Sequence, residues 1–278
     1  MSSEFVNKIL KDLEDDLEND RLVLPSIPEI ALKVRDATDN PDITSNQLAE
    51  IISQDASLAT KLVQLANSPL LRGSKNIDSL DLAITRMGNS MVKNCVQSII
   101  VKQLFTPSTE ASKKLFHDFM QHSADVAALS FTLAKIAKVK PDEALLAGLV
   151  HDIGALPIIK RAEEIPELIN NETALYAAIT ELHTTFGKEL LTKWDFPQEI
   201  TDVVAEHENL KRDHDGSADL VDVVIAANLQ NLADKAHRHS LVDWETVPAM
   251  KKLGFVNSTS MFEEYEEESV SELSGVLL

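Results

Sequence analysis

His151 and Asp152 stand side by side in Leu149-Val150-His151-Asp152-Ile153-Gly154, and such a pair is a ready means of holding a divalent metal. Imidazole nitrogen suits borderline ions and carboxylate oxygen suits harder ones. At the end of a helix the two side chains fan apart, so one can bind an ion terminally while the other bridges two. His122 lies upstream, and His183 and His207 lie downstream, each on a segment with helical period. An ion held in this way activates water or polarises a phosphoryl oxygen. Each histidine also has a plainer role open to it. His122 lies near an apolar helix face and suits a core histidine with a satisfied ring nitrogen. His183 suits a cation at the C-terminus of its helix. His207, between Glu206 and Glu208, suits an exposed position. His117, His214, His237 and His239 fit no ligand spacing.

The elements that must position these residues read as helices almost throughout. Ser26-Ile27-Pro28-Glu29 has the form of a capping box with proline in the first turn, followed by Ile30, Ala31 and Val34 on one face. Leu48, Ile51 and Ile52 mark a second helix. Asp55 is placed to cap a third, which carries Leu58, Leu62 and Ala66 and stops at Pro69. Asp78 or Ser79 starts a fourth, and Gly88 is placed to end it. Met91 to Gln103 forms a fifth, with Cys95 on its apolar side.

Thr106-Pro107-Ser108-Thr109 breaks the pattern and is the expected linker. A long helix over Ser112–Ala137 should follow, then one from Pro141 to Asp152. Further helices are expected over Thr173–His183, Thr185–Trp194, Gln198–Glu208 and Leu220–His239. Met261–Glu272 carries six glutamates and reads as a solvated acidic tail. The resulting expectation is an all-α chain in three parts. These are an N-terminal helical subdomain over 1–107, a helical subdomain with the His-Asp pair over 108–240, and a C-terminal helix and acidic tail over 241–278.

The 278 residues are 44% hydrophobic but only 5% aromatic, with 8 Gly, a mix that favours helices over sheets. A net charge of −19 repels phosphate backbones, and Lys211-Arg212 and Lys251-Lys252 are isolated pairs, so nucleic acid is not an expected partner. Met1–Asp20 is acid-rich without an apolar core, and no run approaches a membrane span, so a cytoplasmic location is predicted. With one cysteine, Cys95, no internal disulfide forms.

A series of short blocks now resembles a known family. They are Leu24-Pro25-x-Ile27-Pro28, then Ile52-x-x-Asp55-x-x-Leu58-Ala59-x-x-Leu62 and Ala66-Asn67-Ser68. Ile77-x-Ser79-Leu80-x-x-Ala83-Ile84-x-x-Met87-Gly88 and His122-Ser123 come next. Ala147-Gly148-Leu149-x-His151-Asp152-Ile153-Gly154 and Gly187-x-x-Leu190-Leu191-x-x-Trp194-x-x-Pro197 complete the set. In this order they are similar to the HDOD domain (HD-related output domain) of bacterial signalling proteins, across roughly residues 20–240. That family is related to the HD phosphohydrolases and the HD-GYP cyclic dinucleotide phosphodiesterases, and is regarded as a regulatory output module that has lost catalysis.

The resemblance implies an all-α fold with an HD-like helical bundle and carries over a site residue by residue. His122 takes the first histidine position, and His151 and Asp152 take the central pair. His183, in His183-x-x-x-Gly187, resembles the additional histidine of the HD-GYP enzymes, and Glu206-His207-Glu208 resembles their His-His-Glu. Asp215-Gly216-Ser217 matches only the start of their signature loop. Ala155 stands where a hydrolase carries lysine, and Ala227 or Asn228 fills the slot of the final aspartate. His122, His151, Asp152, His183 and His207 are therefore the expected metal ligands of a degenerate site, holding at most one divalent ion. The implied function is a non-catalytic bacterial signalling module acting through a protein partner, with its input arriving in trans. The alternatives are a metal-dependent phosphohydrolase acting on a nucleotide or cyclic dinucleotide, and a nucleotide-binding sensor.

Overall fold

A computed structural model of the chain describes residues 11–13, 15, 19, 26–73, 75–233, 238–257 and 267–278. The parts of the expectations that concern Leu24-Pro25, His237 and Met261–Glu266 lie outside the described residues. Among the described residues there is no strand, and the all-α expectation holds.

Between residue 26 and the break the described residues form α1 (Glu29–Thr38), α2 (Ser45–Ile52), α3 (Ala56–Ala66), α4 (Leu80–Met87) and α5 (Asn89–Gln103). Asp55 caps α3 as expected, its side chain accepting from the Leu58 N–H at 3.0 Å. The expected capping box at the start of α1 does not form. Pro28 occupies the N-cap position with no side-chain cap, so Glu29 falls at the first helical position rather than the third.

Helix α5 packs on α1 and carries the N-terminal helices onto α7 (Pro141–Val150). The helical break falls at Phe105–Ser108, and α6 (Glu110–Ala137) follows it. Thr109 caps α6, and the Glu163 carboxylate accepts from the Ser108 and Thr109 backbone N–H groups and from the Ser112 hydroxyl. One apolar core runs from Leu62 and Ile84 through Val92 and Cys95 to Leu133, Leu145 and Val224.

The second half adds α8 (Ala155–Ala162), α9 (Pro166–Ile169), α10 (Glu172–Lys193), α11 (Gln198–Glu206) and α12 (Leu220–Leu232). Ala155, Ile158, Leu175, Leu182 and Phe186 form a second apolar cluster, which also buries Leu13. Two 3-10 turns, Arg238–Leu241 and Trp244–Thr246, lead to α13 (Pro248–Leu253) and α14 (Glu267–Leu277).

Four expectations are corrected here. The separate helices over Thr173–His183 and Thr185–Trp194 are one continuous helix, α10. The low propensity of Thr184 and Thr185 costs only tenths of a kcal/mol, far less than burial of Leu182, Phe186 and Leu190 returns. The helix from Pro141 stops at Val150, and His151–Gly154 form a turn. The helix from Leu220 ends at Leu232, well short of His239. The last six residues of the expected acidic tail, Glu267–Glu272, begin a helix that buries Val270, Leu273, Ser274 and Leu277 against α6 and α3. Its glutamates fall on the outer face, so a high acid count is compatible with docking.

Candidate metal centre

Four helices and one turn converge on Asp152. His122 comes from the middle of α6, His151 caps α7, His183 lies in mid-α10, and His207 caps α11. All five residues expected from the sequence meet, although they span 85 positions. His183 is not a helix-terminal cation, because α10 runs on for ten residues beyond it. His207 is not exposed; it and His151 are fully buried. His122 is half-buried.

The histidines divide into two pairs, one on each oxygen of the carboxylate. Nε2 of His122 and His151 lie 3.7 and 3.5 Å from Asp152 Oδ2. Nε2 of His183 and His207 lie 3.3 and 3.1 Å from Oδ1. His122–His151–Asp152 and Asp152–His183–His207 are thus two three-ligand sets that share Asp152. The expectation of at most one ion rested on the absent lysine and final aspartate, not on the placement of Asp152. Its placement between the pairs suits a bridge.

The far nitrogen of each ring fixes what the near one can do. Nδ1–H of His151 donates to the Gly148 carbonyl at 2.7 Å, and that of His183 to the Ile179 carbonyl at 2.8 Å. His207 Nδ1–H is shared between the Val203 and Val204 carbonyls, each at 3.2 Å. A carbonyl can only accept, so a proton sits on Nδ1 of each ring, and Nε2 is the atom turned to the centre, with a lone pair to offer wherever the ring is neutral. His122 Nδ1 meets Asn231 Oδ1 at 2.8 Å with the same consequence.

Nε2 of His122 and His151 are 3.2 Å apart, and those of His183 and His207 are 3.3 Å apart. Two lone pairs at that distance repel unless a cation or a proton lies with them. This donor set fits a divalent metal. Burial drives the His151 pKa down to about 3, against the pull of Asp152, so its ring is neutral. Burial likewise lowers His183. Burial opposes a charge on His207, but the hydrogen bond to Asp152 outweighs it and raises the pKa. Burial would raise Asp152, yet the His151 and His207 imidazoles hold it well below the usual carboxylate range.

Gly154 and Gly187 make the arrangement sterically feasible. A Cβ on Gly154 would lie 2.4 Å from the Gly187 backbone nitrogen, so the turn carrying Asp152 lies directly against α10 one turn after His183. The Gly of His183-x-x-x-Gly187 therefore serves backbone approach.

A pocket of about 610 Å³ opens over the centre, lined in part by His122, Asp152, His183, Asp118, Glu208 and Asn228. Asn228 lines it and its buried Oδ1 has no hydrogen-bond partner, whereas Ala227 is in the apolar core. Of the two candidates for the final aspartate slot, Asn228 is the one at the pocket. Ala155 is fully buried in the second apolar cluster. His117 also lines the pocket. His239 lies 3.4 Å from Glu208.

His214 matched no ligand spacing, but the fold sets it with Asp219 and Asp222 in a cluster of their own. The carboxylates there are paired with Arg212, which reaches Asp219 at 2.6 Å and Asp222 at 3.3 Å, and with His214, 2.9 Å from Asp222. Lys252 lies 3.7 Å from Asp222. Cations of the chain itself satisfy this cluster, which anchors the start of α12. Sequence reasoning missed Asp125 and Asn231; the latter lies one turn after Asn228 on α12 and directly meets His122.

A helical bundle that gathers four histidines around the aspartate of a His-Asp turn defines an HD-related module. The chain belongs to the HDOD domain family, whose profile matches residues 24–210. It is similar over 98% of its length to a solved structure from Shewanella amazonensis SB2B, assigned by inference as a metal-dependent phosphohydrolase. The identity is 27%, the TM-score is 0.88, and 99% of that chain is covered. An HDOD domain protein of unknown function from Geobacter sulfurreducens shares the fold, with 19% identity, a TM-score of 0.64 and coverage of 99% and 98% of the two chains. An uncharacterized protein of Treponema pallidum (strain Nichols) is 24% identical over 220 residues, 74% of this chain. The chain spans 42% of that relative's length. Among the described residues no helix is long and apolar enough to cross a membrane.

Proposed function

We propose that this chain is a regulatory module whose His-Asp centre binds divalent metal without turning over phosphoesters, and which passes its state to a protein partner. The observation that carries the reading is the lining of the pocket. Among the described residues it presents Asp118, Glu208 and neutral Asn228 but no lysine or arginine. Phosphoryl transfer gathers negative charge in the transition state, and protein cations normally help to meet it. Ala155, where the HD hydrolases carry lysine, contributes a buried methyl group instead. Asn228 offers an oxygen without charge, which weakens the hold on a hard cation.

His122, His151, Asp152, His183 and His207 would hold the metal. A bound divalent ion supplies Lewis acidity and lowers the pKa of a bound water. The test is metal content and phosphoesterase turnover measured on one sample. Bound metal without sustained turnover is expected, and Ala155→Lys alone should not restore turnover. Tight binding of two ions with turnover that His151→Ala abolishes would overturn the reading.

A metal-dependent phosphohydrolase is the second reading. It is favoured by one specific observation, the sharing of Asp152 between two complete three-ligand sets. The nucleotide-sensor alternative has less support, since no described cation lines the pocket to meet a phosphate.

A further inference from the structure

Three of the four histidines are oriented by backbone carbonyls of their own helix or turn. His122 is not. Its Nδ1 meets Asn231 Oδ1 at 2.8 Å, and Asn231 Nδ2 donates to Asp125 Oδ2 at 3.3 Å. The other oxygen of Asp125 accepts from Gln121 Nε2 at 2.8 Å and from the Ser274 hydroxyl at 2.5 Å. Ser274 is buried on α14. A run of side chains therefore connects the C-terminal helix to one metal ligand, across three elements and 152 positions of sequence.

The direction of this run follows from chemistry. An ionised carboxylate only accepts, so the amide nitrogen of Asn231 must face Asp125. Its oxygen must then face His122, which places the imidazole proton on Nδ1 and leaves the Nε2 lone pair for the centre. We infer that Ser274, Asp125 and Asn231 form a positioning chain: the Ser274 hydroxyl on α14 holds the Asp125 carboxylate where it can accept from Asn231, and Asp125 through Asn231 sets the tautomer, and with it the ligating capacity, of His122. The inference deepens the metal reading above and rests on it only for the second of the two readouts below. Ser274, Asn231 and α14 all lie beyond the stretch that matches the family.

Asp125→Asn is the informative substitution. Gln121 and Ser274 both donate on one side, so the new amide oxygen takes that side and its nitrogen turns to Asn231. Asn231 must then flip and present its own nitrogen to His122. The His122 proton moves to Nε2, and the ligand lone pair is lost.

The experiment uses the full chain with nitrogen-15-labelled histidine. Imidazole spectra in metal-free buffer report the tautomer, and a Co2+ titration followed by visible absorption reports binding. Wild type should show His122 with its proton on Nδ1. Asp125→Asn should shift it to Nε2 and weaken the ion on the His122 side by about 10- to 100-fold, as loss of a partner behind a ligating histidine typically does. Ser274→Ala, a smaller change that preserves packing, should move both readouts in the same direction by less. An unchanged His122 tautomer in Asp125→Asn overturns the chain, whether or not metal binds. A Ser274→Ala protein identical to wild type in both readouts overturns the role of α14. If wild type takes up no Co2+ while the tautomer still switches, the metal reading falls and the positioning chain stands.

Discussion

A Cβ on Gly154 would sit 1.9 Å from the carbonyl oxygen of His183. The turn that carries Asp152 therefore touches the backbone of α10, and this contact brings the Oδ1 side of the carboxylate to His183 and His207. Gly154→Ala should push the two apart. Overpacking of this kind costs about 1–3 kcal/mol. Metal retention should fall as well, because the displaced turn holds the shared ligand. Wild-type values for both the denaturation midpoint and metal content would show that the contact is not a constraint.

The two ligand sets respond differently to single substitutions. His151→Ala removes a member of one set and leaves Asp152–His183–His207 intact. Asp152→Ala strikes both. Metal analysis should find partial loss in the first protein and near-complete loss in the second. Identical losses would speak against a bridging aspartate.

Glu163 provides a pH-dependent tie between α8 and the start of α6. Its burial favours the neutral acid, but hydrogen bonds from Lys160, Ser108 and Ser112 outweigh this and hold its pKa at about 2, against 4.5 for the free group. A depressed carboxylate pKa stabilises the fold fully above the unfolded value, and that contribution is lost as pH falls from about 4.5 toward 2. Glu163→Gln should cost on the order of 2 kcal/mol at pH 7, allowing for screening of the half-exposed Lys160. The deficit relative to wild type should shrink in urea titrations at about pH 3. A deficit independent of pH would assign the effect to packing.

In the N-terminal helices, Leu62 is fully buried, and Leu62→Ala should cost about 2–5 kcal/mol. Asp55→Ala removes the α3 cap and should cost about 1 kcal/mol. Denaturant titration separates the two, and near-zero values for both would contradict the helix register.

The net charge of −19 predicts no useful affinity for duplex DNA. Salt-dependent micromolar binding to random-sequence DNA, seen by anisotropy, would reverse that expectation.

Much of this protein was legible before folding. Apolar residues at helical spacing identified most helices, because burial of one face leaves that imprint on any amphipathic helix. His122, His151, Asp152, His183 and His207 were recognisable as a set through their ordered motifs. Their individual settings were not. The sequence near His207 looks solvated, yet packing of α11 against α10 and α7 buries it fully. Thr184-Thr185 looks like a break, yet tertiary burial on both sides carries α10 through it.

By itself, the sequence determined the helical class, the chain break near Pro107 and the charge, which follow from local composition and spacing, while its ordered motifs, through their resemblance to a family, pointed to the five converging residues. Only the tertiary structure decided that Asp152 lies between two histidine pairs, that Asn228 rather than Ala227 meets the pocket, and that α14 reaches His122 through Ser274, Asp125 and Asn231. Such relations depend on the relative placement of helices far apart in sequence, and no periodicity within a single helix records the angle at which it meets another.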